Sequence, residues 1–157
     1  MPSNQQLSLT GDSVFPPSRF QDFAHLARFH SVTSPLVAII DDDEALCSSL
    51  ADLMRSVGYR AEPYASAETF LATSSLFSSD CIIADVHMPG MGGPDLVRKL
   101  HEQGITTPVI LITALPDTHL DDEAISVGAQ CLLRKPFETS VLLEYIERSL
   151  SNDRPPR

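Results

Sequence analysis

The sequence predicts an α/β fold: a doubly wound parallel sheet of five strands with helices on both faces. Three observations lead there. Apolar runs of strand length alternate with helical patterns five times between Leu36 and Leu150. The connections between them are short, as βα units in one sheet require. The first run, Leu36-Val37-Ala38-Ile39-Ile40, is continuously apolar. That pattern marks a strand buried on both faces.

Each element has its own signal. Leu36 to Ile40 feeds a helix with Leu46, Leu50, Leu53, Met54 and Val57 on one side, stopped by Gly58. Tyr59 to Glu62 reads as a weaker strand ended by Pro63, which suits a sheet edge. Ser66 is placed to cap a second helix carrying Phe70 and Leu71, and Cys81 to Ala84 forms the third strand. Pro94 sits at the first turn of a third helix, which holds Leu96 and Leu100 and stops at Gly104. Val109 to Ile112 is the fourth strand. Its helix carries Asp121, Asp122 and Glu123 in the early turns, where the helix dipole favours acids, and ends at Gly128. Cys131 to Leu133 is the fifth strand. Thr139 or Ser140 then caps a last helix with Leu143, Ile146 and Leu150 inward.

The 157 residues suffice for one domain, residues 35–150, with something different at each end. Residues 1–34 form an N-terminal extension whose first 17 residues are rich in Ser, Gln, Pro and Gly, which points to disorder. Within it, Phe20, Phe23, Ala24 and Ala27 have helical spacing after a possible Ser18 cap. A short helix packed on its own domain, a frayed leader and a partner-docking helix are all compatible with that stretch. Residues 151–157 form a polar tail.

Composition excludes several functions. The chain has 21 acids against 11 bases, and residues 35–150 alone hold 18 acids against 7 bases. Binding nucleic acid directly requires clustered Lys and Arg, so it is not expected. No apolar run reaches the roughly 20 residues needed to span a bilayer, and no secretory leader is visible. Cys47, Cys81 and Cys131 form no CxxC pair and no metal-ligand spacing, and read as small buried hydrophobes of a reducing compartment. The expected location is the cytoplasm. No GxGxxG follows the first strand and no Walker-type lysine loop occurs, which removes the dinucleotide and P-loop readings.

Ligands of such sheets bind at the carboxyl ends of the strands. The first strand runs into Asp41-Asp42-Asp43-Glu44, the third into Asp85, the fourth into Thr113, and the fifth nearly into Lys135-Pro136. Alone, each has a plain explanation as a solvated turn or a helix N-terminus. Together, four strands deliver carboxylates, a hydroxyl and an ammonium to one edge. Crowded carboxylates repel and take up protons unless a cation joins them. Magnesium suits such a group, because it accepts a few carboxylates plus water and phosphoryl oxygens.

In these residues the chain resembles the receiver domain of two-component response regulators. The matching pieces are Ile39-Ile40-Asp41-Asp42-Asp43, Asp85-Val86-His87-Met88-Pro89-Gly90-Met91-Gly92-Gly93, Ile112-Thr113-Ala114, Gly128-Ala129 and Lys135-Pro136-Phe137. Asp42 and Asp85, Asp85 and Thr113, and Thr113 and Lys135 lie 43, 28 and 22 residues apart, as in that family. Including Ser66-Ala67-Glu68-Thr69-Phe70-Leu71, the chain is similar to receivers usually fused to a DNA-binding helix-turn-helix.

The resemblance implies a flavodoxin-like sheet of order 2-1-3-4-5. It implies that Asp42, Asp85 and the backbone carbonyl of His87 ligate Mg2+, with Asp41 reaching it directly or through water. Asp85 would accept a phosphoryl group from a sensor histidine kinase or a histidine phosphotransfer protein. Lys135 would neutralise charge on the transferring oxygens, and Thr113 and the Ala114 backbone N–H would bind them afterwards. A cis Lys135-Pro136 bond would aim Lys135 at the site. The protein would not be an enzyme beyond catalysing its own phosphorylation and dephosphorylation.

Two positions depart from the family pattern. Leu132 stands where most receivers carry an aromatic residue that fills the space vacated by the threonine, so the usual switch lacks its ring. Leu115, two residues beyond Thr113, is apolar where a polar residue would help position an attacking water, and is expected to slow hydrolysis of phosphorylated Asp85. No helix-turn-helix follows Leu150 in this sequence, so the expectation is a stand-alone receiver that docks to a downstream protein, with a homodimer possible. Two other classes are weighed. One is a receiver-fold interaction module that signals without phosphorylation. The other is an aspartyl phosphatase, disfavoured because His87 stands where its second acid belongs.

Overall fold

The structure is a computed structural model and describes residues 34–151. The helix read into residues 18–29 and the tail beyond Ser151 lie outside the described residues. Strands β1 (Leu36–Ile40), β2 (Arg60–Tyr64), β3 (Cys81–Asp85), β4 (Val109–Thr113) and β5 (Cys131–Arg134) form one sheet of order β2-β1-β3-β4-β5, every pair parallel. Between and after them run helices α1 (Glu44–Ser56), α2 (Ala67–Leu71), α3 (Ser75–Ser78), α4 (Gly93–Glu102), α5 (His119–Val127) and α6 (Thr139–Leu150). The predicted class and the strand order 2-1-3-4-5 are those observed.

Side chains alternate across the sheet and divide the core in two. One face sets Ala38, Ile40, Ile82, Ala84, Val109 and Leu111 against Phe70, Leu76, Leu96, Leu100, Leu120 and Ala124. Val37, Ile39, Ile83, Ile110 and Ile112 alternate with these and are fully buried on the other face. There α1, with Cys47, Leu50, Ala51 and Met54 buried, and α6, with Leu142 and Ile146, supply the cover. Truncating one such residue, for example Ile39→Ala, costs about 2–5 kcal/mol in lost transfer energy and cavity.

The local signals act as their chemistry dictates. Asp43 caps α1 by accepting the Leu46 N–H at 3.1 Å, and Ser66 caps α2 by accepting the Thr69 N–H at 3.1 Å. Pro94 lies in the first turn of α4, and Gly128 ends α5 at φ +86°, a left-handed conformation that glycine adopts without strain.

Four details differ from the sequence reading. Pro63 does not end β2 but lies within it, opposite Ile39. Arg60 donates inward to Pro35 O at 2.9 Å, so by alternation residue 63 faces the open edge, where a missing N–H costs nothing. The second helix is only five residues long, and the four-residue α3 that follows has no periodicity to announce it. Strands β2 to β5 each run one or two residues further than read, so Asp85 and Thr113 are the last residues of β3 and β4. Finally, α6 begins at Thr139 with Glu138 in the cap position, and Leu142 rather than Leu143 or Leu150 is buried beside Ile146. In the run Val141-Leu142-Leu143 three apolar residues compete for one stripe. Leu142 is the one that stands a single turn before Ile146.

Candidate functional site

Asp41 follows β1, Asp85 ends β3, Thr113 ends β4 and Lys135 follows β5, so the parallel sheet carries all four to one edge. Asp41, Asp85 and Thr113 are buried, and Asp42 and Ala114 are exposed. Carboxylate oxygens of Asp41, Asp42 and Asp85 lie within 4.8 Å of one another, the only such acidic group found among the described residues. Lys135 Nζ reaches Asp41 Oδ2 at 3.1 Å and Asp85 Oδ2 at 3.6 Å.

Backbone contacts fix these groups. The Asp43 N–H donates to Asp41 Oδ1 at 2.9 Å, orienting that carboxylate. The Lys135 N–H donates to Thr113 O at 2.7 Å, tying the end of β5 to the end of β4, and the Lys135-Pro136 peptide is cis. Thr113 Oγ1 accepts the Leu115 N–H at 3.1 Å, so the turn after β4 closes over the hydroxyl. Arg134, one residue before Lys135, pairs with both carboxylate oxygens of Asp121 and donates to Asp117 O, bracing that turn against α5.

The loop after β3 holds His87. Its neck is closed by the Gly93 N–H donating to Val86 O at 3.2 Å. A Cβ on Gly93 would stand 2.7 Å from Asp85 O, and one on Gly92 would strike Val86 O, so only glycines let the chain return so close to β3. His87 is exposed, and its backbone N–H donates to Asp85 Oδ1 across 3.5 Å.

The electrostatics are those of a crowded acidic group. Burial pushes the Asp85 carboxyl above its usual range, the charge of Asp41 adds to that, and Lys135 opposes both without cancelling them. Burial works against charge on Lys135, but its hydrogen bond to Asp41 and the field of Asp85 hold the ammonium above its usual range. Three carboxylates face one ammonium, an imbalance a divalent cation would neutralise. The donors are all oxygen, which fits a hard ion such as Mg2+ and not a thiolate-seeking metal.

Of the residues singled out from sequence, Asp41, Asp42, Asp85 and Lys135 come together at this edge. Thr113 ends the neighbouring strand β4, Ala114 follows it, and His87 lies in the loop after β3. Leu132 stands apart: it is half-buried against the core, opposite Leu111 in the register. Sequence reasoning passed over the closing role of Gly92 and Gly93, and the contact of Glu68 with the same loop described below. The paired glycines were a visible signal for a close backbone return, whereas nothing local signalled the glutamate.

Comparison with known proteins identifies the family. Residues 37–147 match the family described as response regulator receiver domain. The chain is 38% identical over 115 residues to the response regulator protein TmoT of Ectopseudomonas mendocina, covering 73% of this chain and 52% of that protein. It is 36% identical over 118 residues to the transcriptional regulatory protein FixJ of Rhizobium meliloti, covering 75% and 58%. It thus spans about half the length of these relatives. Among solved structures, the crystal structure of FixJ-N superposes with a TM-score of 0.69 at 36% identity, covering 75% of this chain and 94% of that one.

Proposed function

The chain belongs to the response regulator receiver domain family, and on that footing we propose that it is a phosphoacceptor whose Asp85 takes a phosphoryl group from a phosphohistidine. The donor is a sensor histidine kinase or a histidine phosphotransfer protein. The observation that carries this reading is the meeting of Asp41, Asp42, Asp85, Thr113 and Lys135 at one sheet edge.

In the step itself an Asp85 carboxylate oxygen bonds to phosphorus as the phosphorus–nitrogen bond to the donor imidazole breaks. The electron pair leaves with that nitrogen, and Asp85 becomes an acyl phosphate. Asp41, Asp42, Asp85 and the carbonyl of His87 are the groups that would hold Mg2+, which when bound would neutralise negative charge on the transferring oxygens. Lys135, already paired with Asp41 and Asp85, supplies a second positive charge to the same oxygens. The Thr113 hydroxyl and the Ala114 N–H would bind those oxygens after transfer. On this reading the protein turns over no separate substrate; it acts on its own aspartate only.

We place the protein in the cytoplasm, a reading supported by three free thiols at Cys47, Cys81 and Cys131. Among the described residues no helix is long and apolar enough to cross a membrane. The acidic balance of the domain supports output by docking to a protein, a downstream target or a second copy, rather than by direct contact with nucleic acid. Leu132, which cannot fill space as a ring would, supports a second reading in which the fold signals without phosphorylation. The complete acidic and basic set favours the first.

The chemistry of the product tests the proposal. Protein labelled by a small phosphodonor must lose its label to neutral hydroxylamine, which attacks an acyl phosphate at its carbonyl. Label that survives hydroxylamine would be a phosphoester on serine, threonine or tyrosine and would refute the assignment to Asp85.

A further inference from the structure

We propose that Glu68 is a positioning residue for the metal-binding loop: its carboxylate latches the tip of the loop that presents the His87 carbonyl. This rests on the reading of Asp85 as a Mg2+-dependent phosphoacceptor and deepens it. The loop between β3 and α4 has two ends to control. Its neck is closed by the Gly93 N–H on Val86 O and by the near contact of residues 92 and 93 with the β3 carbonyls. Its tip, Pro89-Gly90-Met91, has no such closure within the loop and is largely exposed.

Glu68 supplies a hydrogen bond from another element, beside the packing of the Met91 side chain on the core. It lies in the first turn of α2, 23 residues earlier, and its Oε1 accepts the Met91 N–H at 2.8 Å. The same oxygen occupies the space over Gly90, where a Cβ would come within 2.6 Å, and Gly90 itself adopts φ +80°. The loop therefore crosses the carboxylate at Gly90, where no side chain keeps it off. The backbone N–H groups of Glu68 itself and of Met91 outweigh the effect of burial and keep its carboxyl below the usual range. Ser66 caps α2. The helix beneath is anchored by Ala67 and Phe70, both fully buried.

The consequence lies at His87, four residues before Met91. A carbonyl ligand contributes to metal binding only if its loop is already in place, and partners that orient a ligand typically change metal affinity by about 10–100-fold when removed. Glu68 lies outside the acidic group of Asp41, Asp42 and Asp85, so it acts through the backbone and not as a ligand.

The test compares wild type, Glu68→Ala and Glu68→Gln in the full chain. Amide hydrogen exchange is followed at Met91 without metal, and Mg2+ binding by calorimetry. Glutamine keeps an acceptor oxygen and removes the charge, so it separates the hydrogen bond from a simple helix-dipole effect of the acid. The expected result is faster Met91 exchange and roughly tenfold weaker Mg2+ binding in Glu68→Ala, with Glu68→Gln close to wild type. Exchange at Ile83 and Ile110, in the sheet centre, should be the same in all three. Glu68→Ala with wild-type Met91 exchange, or with wild-type Mg2+ affinity, would overturn this inference and leave Asp85 as the phosphoacceptor. A change equal in Glu68→Gln and Glu68→Ala would overturn it in favour of charge alone. Wild type that binds no Mg2+ would overturn both this inference and the reading beneath it.

Discussion

Lys135 and Asp41 are 94 residues apart in the chain and 3.1 Å apart in space, one beyond the last strand and the other beyond the first. The Asp41 side chain is fully buried, and that of Lys135 is about a quarter exposed. The pair spans the sheet from β5 to β1 and passes Asp85 on the way.

Removing Lys135 therefore leaves the buried Asp41 carboxylate with the Asp43 N–H but without its opposite charge. Lys135→Ala should destabilise the metal-free protein by about 1–3 kcal/mol, the cost of stranding a buried acceptor. Added Mg2+ should recover much of that loss, because it neutralises the same carboxylates. Urea unfolding with and without Mg2+ measures both. The rate of Asp85 phosphorylation should also fall by about 10²–10³-fold, as when one preorganised charge or donor is deleted.

The metal itself should stabilise the fold. At about 100 times its dissociation constant, Mg2+ should add about 2.7 kcal/mol by mass action and raise the melting temperature accordingly. Asp42 is exposed, so Asp42→Asn should cost the metal-free fold little while removing most of this gain. Equal Mg2+ shifts for wild type and Asp42→Asn would take Asp42 out of the ligand set.

Away from the acidic group, Glu62 should make stability depend on pH. It accepts the Ser75 and Tyr64 hydroxyls, both at 2.5 Å, and joins the edge strand β2 to α3. The Ser75 bond first and the Tyr64 bond second hold its carboxyl below the usual range. A carboxyl lowered on folding stabilises the native state above its unfolded pKa of about 4.3, and that contribution disappears as pH falls through the folded value. Glu62→Gln should thus lose about 1 kcal/mol at pH near 7, and the gap to wild type should close in strong acid. Urea midpoints at the two pH values decide it.

How much of this was legible depends on the range of the interactions. β1, β3 and β4 are short runs buried on both faces, so Leu36–Ile40 and its counterparts announce themselves, and the polar residue ending each run marks the site. Asp41, Asp85, Thr113 and Lys135 could be placed at one edge because topology alone carries them there. Pro63 misled because its effect depends on which way residue 63 faces, a property of pairing with Ile39. Leu142 and Leu143 are equivalent to a periodicity argument until α6 is rotated onto the sheet. The Glu68–Met91 bond joins two elements 23 residues apart that meet only once the sheet has formed, so no local window of sequence contains it.

The central claim is that Asp85 is the phosphoryl acceptor. Intact mass after incubation with acetyl phosphate tests it most directly, with wild type and Asp85→Ala run with and without Mg2+. The account predicts one added phosphoryl group in wild type, present only with Mg2+ and absent from Asp85→Ala. A folded wild type that gains no mass, or an Asp85→Ala variant that gains the same mass, would contradict it.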